Sequence, residues 1–193
     1  MEKQTKYINE LGAEVTIERR VYEAINTVEE DYSENGKLIH RTIFEGEVFQ
    51  TLLYFAFSVD EINLLVGKHS TVSIIHRMWE NGFLVEEYIQ YVDKIIASKR
   101  IAVINSRGEN ICFRHVQFEN GITKEVGTEK RYFKDGQEKY LFDYNSDGTC
   151  FMINNTQSFQ EDIFPWDIGT DKTDFTWTGH EYYKFADPLV PEP

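Results

Sequence analysis

Short runs in which apolar and polar side chains alternate in places, punctuated by glycine-bearing turns, predict β-hairpins in both halves of this chain. Val15/Ile17 and Phe142/Tyr144 repeat with the period of two that puts alternate residues on one face of a strand. Asn35-Gly36, Gly108, Asn120-Gly121, Asp135-Gly136 and Asp147-Gly148 supply the positive φ that tight turns demand, and each lies between stretches rich in β-branched and aromatic residues. Strands are expected near Glu14 to Ile25, Lys37 to Glu45, Ile101 to Asn105, Ile111 to Phe118, Lys130 to Phe133, Lys139 to Tyr144 and Cys150 to Asn154. Such segments pair as an antiparallel sheet with one buried face.

The middle of the chain reads differently. Ser58-Val59-Asp60-Glu61 fits a capping box, with the Ser58 hydroxyl accepting from the Glu61 N–H and the Glu61 carboxylate reaching back. A helix is expected there, with Ile62, Leu65 and Val66 as its stripe and Gly67 as its stop. The spacing of Val72, Ile75 and Trp79 predicts a second helix from Ser70 to Asn81-Gly82. Leu84, Tyr88, Val92 and Ile95 predict a third over about Phe83 to Ala97. The fold class expected is α+β: one domain over residues 1–193, its antiparallel sheet built from both halves of the chain, with a three-helix insertion at about 58–98 and an acidic C-terminal wrap over 160–193, frayed from Pro188 onward.

Charge sharpens this picture. The 193-residue chain has a net charge of -13, and the acids concentrate at the ends: residues 1–57 carry 11 acids against 6 bases, and residues 160–193 carry 8 against 2. A field of that sign repels phosphate and anionic lipid and attracts basic proteins. With 41% hydrophobic and 15% aromatic residues the composition is that of a globular protein. The start, Met1 to Lys6, leads into no apolar run of signal-peptide length, and Leu52 to Phe57 is too short to span a bilayer, so a soluble, cytoplasmic protein is expected. Cys112 and Cys150 lack metal-ligand spacing and are expected as buried free thiols.

Three local patterns carry candidate chemistry. Phe57 to Gly67, followed by Ser70-Thr71-Val72-Ser73 and Trp79 to Leu84, resembles the helix-turn-helix of winged-helix transcription regulators. The resemblance implies a second helix in the major groove, with Ser70, Thr71, Ser73 and Arg77 facing DNA. Lys68 and Arg77 are the only bases near that groove, and phosphate contacts need more. Asp143, Asn145 and Asp147 match the opening of a calcium loop, but its twelfth position is Asn154 where a bidentate Glu is needed, so a hairpin turn is preferred. His40, His69, His76, His115 and His180 show no ligand spacing, and a Cys112 or Cys150 dyad with His115 is the remaining nucleophile candidate. No phosphate-binding loop, dinucleotide fingerprint, nucleophile elbow or zincin motif is present.

The tail combines carboxylates with aromatic rings, which is what an interface against a basic protein requires: rings fill pockets, and acids steer encounter. The function expected is therefore binding, by an acidic inhibitor of a basic partner protein, in its most specific form an immunity protein that neutralises a nuclease-type toxin. Neither catalysis, nor a cofactor or metal, nor nucleic acid or a membrane as partner, is expected. Glu161, Asp162, Phe164, Trp166, Asp167, Asp171, Asp174 and Trp177 of the tail, with Glu29, Glu30 and Asp31, are the expected partner-facing residues. A DNA-binding regulator using residues 58–84, and a ligand-binding β-protein or enzyme with a pocket lined by sheet aromatics, are the alternatives.

Overall fold

The computed structural model describes residues 4–9, 14–16, 27–33, 36–45, 48–156 and 161–193. They form the strands β1 (Gln4–Asn9), β2 (Glu14–Val15), β3 (Thr27–Tyr32), β4 (Leu38–Glu45) and β5 (Val48–Ala56), the helix α1 (Val59–Lys68), and then β6 (Thr71–Glu80), β7 (Phe83–Val92), β8 (Ile95–Ile104), β9 (Asn110–Glu119), β10 (Ile122–Lys134), β11 (Gln137–Tyr144) and β12 (Cys150–Asn155). The fold is mostly β, with 58% strand, and the α+β expectation with a three-helix insertion at 58–98 is overturned. Beyond Thr16 the expected strand from Glu14 to Ile25 lies outside the described residues, as do Glu34 and Asn35 of the first expected turn.

Of the three expected helices, α1 alone forms. Ser58 is extended (φ -152°, ψ 159°), and its hydroxyl accepts from the Glu61 N–H at 3.3 Å. The Glu61 carboxylate reaches back one residue further than a strict capping box requires, accepting from the Phe57 N–H at 2.7 Å. It also accepts from Lys37 at 2.9 Å, and these two donors, Lys37 first, hold its carboxyl below the ordinary value. The other two expected helices are strands. Thr71 to Ile75 holds three β-branched apolar residues out of five, which favours extended backbone. Val72 and Ile74 face α1 with Ala56 and Ile62, while Ile75 packs on the opposite face with Leu38, Leu53 and Phe55. A strand buried on both faces loses its alternation and mimics a helical stripe. Asn81-Gly82, expected as a helix stop, has both residues at positive φ (50° and 84°) and is a tight hairpin turn between β6 and β7. Asp93 and Lys94 (48° and 68°) turn β7 into β8 without the glycine that would announce it.

The chain divides into two compact units. In the first, Met1–His76 with Tyr88–Ile95, β2, β1, β3, β4 and β5 pair antiparallel in that order. The return through α1 brings β6 parallel to β5, with Leu53 opposite Ser73 and Ala56 opposite His76. Within β3, Glu30 and Asp31 are buried and paired: Glu30 accepts from Arg41 at 2.6 Å and from the Tyr32 hydroxyl at 2.5 Å, and Asp31 accepts from Thr5 at 2.6 Å and lies 3.0 Å from His40.

The second unit, Arg77–Glu87 with Ile96–Pro193, is built on the antiparallel meander β8 to β12. One of its faces carries two apolar clusters, Val85, Val103, Ile111 and Cys112 on one side and Tyr140, Phe142, Cys150 and Ile153 on the other. Residues 161–193 cover this face, contributing Phe175 and Val190 to the two clusters. Lys130 of β10 is wholly buried there, and its ammonium donates to the carbonyls of Tyr182, Phe185 and Pro188, each at 2.8 Å. It also lies 3.7 Å from the centre of the Tyr182 ring. Beside it Arg114 donates to the Ala186 carbonyl at 3.3 Å and pairs with Asp187 at 3.0 Å. The Ala186 N–H donates to Gly148 at 2.8 Å, and the Tyr144 hydroxyl donates to the Tyr183 carbonyl at 2.8 Å. The end of the chain, expected to fray from Pro188, is therefore held: Pro188 binds Lys130, Val190 is buried, and Asn81 donates to the Pro191 carbonyl at 3.1 Å.

Burial lowers the Lys130 ammonium to about 8 from an ordinary 10.5. Between those values the unfolded chain binds the additional proton, so this group makes stability rise with pH from about 8 to 10.5, by ~3 kcal/mol at most. Replacing it by Met leaves three carbonyls without their donor and should destabilise by ~2 kcal/mol or more at neutral pH. Denaturant melts of wild type and Lys130→Met at pH 7, 9 and 10.5 check both points: the rise attributed to this lysine should be missing from the variant.

Candidate functional site

The tail enters the second unit along the outer edge of β12. Ile163 exchanges two backbone hydrogen bonds of 2.9 Å with Ile153, which extends the sheet by one bridge and fixes where Phe164 begins. Pro165 presets φ for a single turn of 3₁₀ helix, Pro165–Asp167. The turn is closed by the Asp167 N–H to the Phe164 carbonyl at 2.9 Å, and extended by Thr170, whose N–H and hydroxyl both donate to the Asp167 carbonyl. Lys172 then bridges back to the Asp167 carboxylate at 2.9 Å.

Between this turn, the ends of β11 and β12 and the segment 172–175 lies a groove of about 1260 Å³. Ile163, Phe164, Tyr140 and Phe175 form its apolar wall, and Glu161, Asp162, Asp167 and Asp174 bring carboxylates to it against two ammonium groups, Lys139 and Lys172. Lys172 is spent on Asp167, whose side chain is 17% exposed. Glu161, Asp162 and Asp174 are exposed and make no ion pair among the described residues. The Asp162 charge reaches Asp143, whose carboxyl is raised above its ordinary value by burial first and then by Glu129 and Asp162. Trp166 does not line the groove; it is stacked on Phe164 with centroids 4.8 Å apart and planes 11° off parallel, and is 69% exposed.

Of the expected partner-facing residues, Glu161, Asp162, Phe164, Asp167 and Asp174 thus converge on one groove, with Trp166 stacked on its wall. Asp171 is exposed but does not line it. Trp177 has a different role: it packs into the apolar cluster, with its ring 5.4 Å from Phe175 and 6.3 Å from Phe142. Glu30 and Asp31 are withdrawn from any partner by burial in their own pairs, and Glu29 lies beside them on β3 of the first unit. Sequence reasoning missed Lys139, Tyr140, Asn155, Ile163, Lys172, Thr173 and Phe175 as groove residues, because their contribution depends on where the tail crosses the strand ends.

The alternative chemistries lose their geometry. Ser70 to Arg77 is not a helix, and Arg77 is paired with Glu86 at 2.6 Å, so no recognition helix exists for a major groove. In the segment that matches the opening of a calcium loop, Asp147 accepts from the Thr149 N–H at 2.9 Å and hydroxyl at 2.6 Å, and Asn154 turns its amide nitrogen to Asp143 at 2.8 Å. These bonds close a hairpin and leave a donor where a calcium ligand is needed. Cys112 and His115 are three apart on β9 and point to opposite faces. Both cysteines are buried free thiols; burial raises Cys112 and lifts Cys150 to about 11, the reverse of what a nucleophile needs. Among the described residues no three His, Cys, Asp or Glu side chains are grouped to hold a metal ion, and no helix is long and apolar enough to cross a membrane.

The two tail tryptophans should therefore separate in a stability measurement. Trp177→Ala opens a cavity beside Phe142 and Phe175 and should cost ~3 kcal/mol, whereas Trp166→Ala should change stability by less than about 0.5 kcal/mol. Thermal and urea melts of both variants decide it. Millimolar calcium should leave the melting temperature of wild type unchanged; a rise of several degrees that disappears in Asp147→Ala would overturn the hairpin assignment.

Comparison of the chain with models of known protein families, with curated protein sequences and with solved structures finds no match to any of them.

Proposed function

We propose that this chain is a binding protein that covers a basic surface on a partner protein through the groove of its tail and the exposed Trp166 stacked on the groove's wall. The observation that carries the reading is Trp166. Trp166 is 69% exposed and touches the groove only through Phe164, on which it stacks, while exposed Glu161, Asp162 and Asp174 line the groove itself. Aromatic anchors of this kind supply most of the energy of protein interfaces, while surrounding charges set rate and selectivity. The most specific form of the reading is an immunity protein that neutralises a nuclease-type toxin. Such an enzyme must present a basic face to its phosphate substrate, and an acidic cover matches that face.

The test begins with capture from the source cell at low and high salt, identification of the captured protein by mass spectrometry, and kinetics on the purified pair. The captured partner should be basic, and its association rate should fall steeply with ionic strength while dissociation changes less. Trp166→Ala should weaken the complex by ~2 kcal/mol or more without altering the melt. A salt-independent association rate together with an unchanged affinity for Trp166→Ala would sink the proposal.

A further inference from the structure

Four two-residue turns join neighbouring strands among the described residues, and each holds both of its residues at positive φ: Asn81-Gly82 (50° and 84°), Asp93-Lys94 (48° and 68°), Asn120-Gly121 (53° and 78°) and Asp135-Gly136 (55° and 77°). Three of them place glycine second, as this geometry asks, because a Cβ there crowds the backbone. Lys94 keeps a side chain where its three counterparts have none. No contact offsets the strain: Lys94 is exposed, and its ammonium makes no hydrogen bond or ion pair among the described residues. Strain of this kind is concentrated at ligand sites, where the side chain serves something other than packing.

Lys94 lines a pocket of about 310 Å³ that lies wholly in the first unit, between the turn and the end of α1, Gly67 to Ser70. The two walls are tied together by the Asp93 N–H, which donates to the Ser70 carbonyl at 2.6 Å. The Lys68 ammonium and the Ser70 hydroxyl also line the pocket and make no ion pair or hydrogen bond among the described residues. Other cations of this unit are held by acids, Lys37 by Glu61 at 2.9 Å and Arg41 by Glu30 at 2.6 Å. With 33 acids to 20 bases in the chain, two unpaired ammonium groups on one small pocket stand apart, the more so beside a hydroxyl and the His69 imidazole. Asp93 is the one carboxylate that lines it. Lys68 also offsets the negative end of α1 from its last turn, whereas Lys94 lies outside any helix. The net charge of -13 does not forbid an anion here, since exposed charges more than about 8 Å away are largely screened at physiological salt. A phosphate brings up to two charges and three strong acceptor oxygens, enough to meet donors from both walls at once. We propose that this pocket binds a phosphate group, free or as a monoester of a small molecule, between the ammonium groups of Lys68 and Lys94 with the Ser70 hydroxyl as a further donor.

The experiment titrates the full ¹⁵N-labelled chain with inorganic phosphate, methyl phosphate and acetate at constant ionic strength, following amide shifts by NMR. Saturable shifts at the amides of Lys68 to Ser70 and of Asp93 and Lys94 are expected at millimolar phosphate, and acetate should bind about fivefold or more weakly. Lys94→Gly should weaken phosphate binding about tenfold and at the same time raise the melting temperature by ~2 °C or more, because glycine relieves the turn. Lys94→Asn, which also accepts positive φ, should lose binding alike. Lys68→Met should weaken binding to a similar extent, and Lys134→Met, in the other unit, should leave it unchanged. Tighter binding of methyl phosphate would identify a monoester as the ligand and tighter binding of inorganic phosphate the free anion, and either result supports the site. Absence of saturable shifts, acetate bound as tightly as phosphate, or full affinity in Lys94→Gly overturns the inference. So does a lower melting temperature for Lys94→Gly, which would give the lysine a structural role in the turn.

Discussion

A buried ammonium must find acceptors or lose its charge, and Lys130 meets that constraint in a way that shapes the second unit. Among the described residues no carboxylate hydrogen-bonds to it; three main-chain carbonyls, those of Tyr182, Phe185 and Pro188, accept its three protons. Three acceptors converging on one nitrogen fix the path of the seven residues that bear them. Because Cys112 stands directly opposite Lys130 on β9 and Phe142 on β11, the acceptors must arrive from above the sheet face. The tail is thus folded over that face by the need to solvate one cation, and Arg114, two residues from Cys112 on the same face, repeats the device with Ala186 and Asp187.

The position of the groove follows from this anchoring at one end and from Ile163 at the other. Ile163 is zipped to β12, and residues 182–190 are held by Lys130, Arg114 and Tyr144. The chain between them has to span the aromatic ends of β11 and β12, which Phe175 and Trp177 do by packing edge to face on Tyr140 and over Phe142. What is left between the 3₁₀ turn and the strand ends is a groove with an apolar wall. Its acids come from the tail itself, so the same segment that closes the core also supplies the electrostatics of the open surface.

The hairpins were legible where turn chemistry and alternation agreed, as at Asn120-Gly121 and Asp135-Gly136. They were illegible where burial removed the alternation. Val72, Ile74 and Ile75 are packed on both faces of β6, and that erased the period of two and let a helical spacing of Val72, Ile75 and Trp79 stand in its place. The Asp93-Lys94 turn lacks glycine, so the run from Phe83 to Ala97 read as one long helix where two strands meet. The capping box at Ser58 was legible because its logic is local. The candidate site was legible only as a composition, an aromatic and acidic tail. That Trp177 belongs to the core and Trp166 to the surface depends on what each meets in space, and so does the burial of Glu30 and Asp31 against Arg41 and His40.

The manner of anchoring also explains how one segment can both close a core and remain acidic. Lys130, Arg114 and Tyr144 hold the tail mainly by its carbonyls, at Tyr182, Tyr183, Phe185, Ala186 and Pro188, and every residue type carries a carbonyl. Few side chains are then required for attachment: Phe175, Trp177, Val190 and the tyrosines fill space, and the rest are released from packing. A tail fixed by side chains alone would need an apolar residue at every other contact, and could not hold eight acids against two bases over residues 160–193. Main-chain attachment separates the question of where the tail lies from the question of what it displays, and the acids and Trp166 are what it displays.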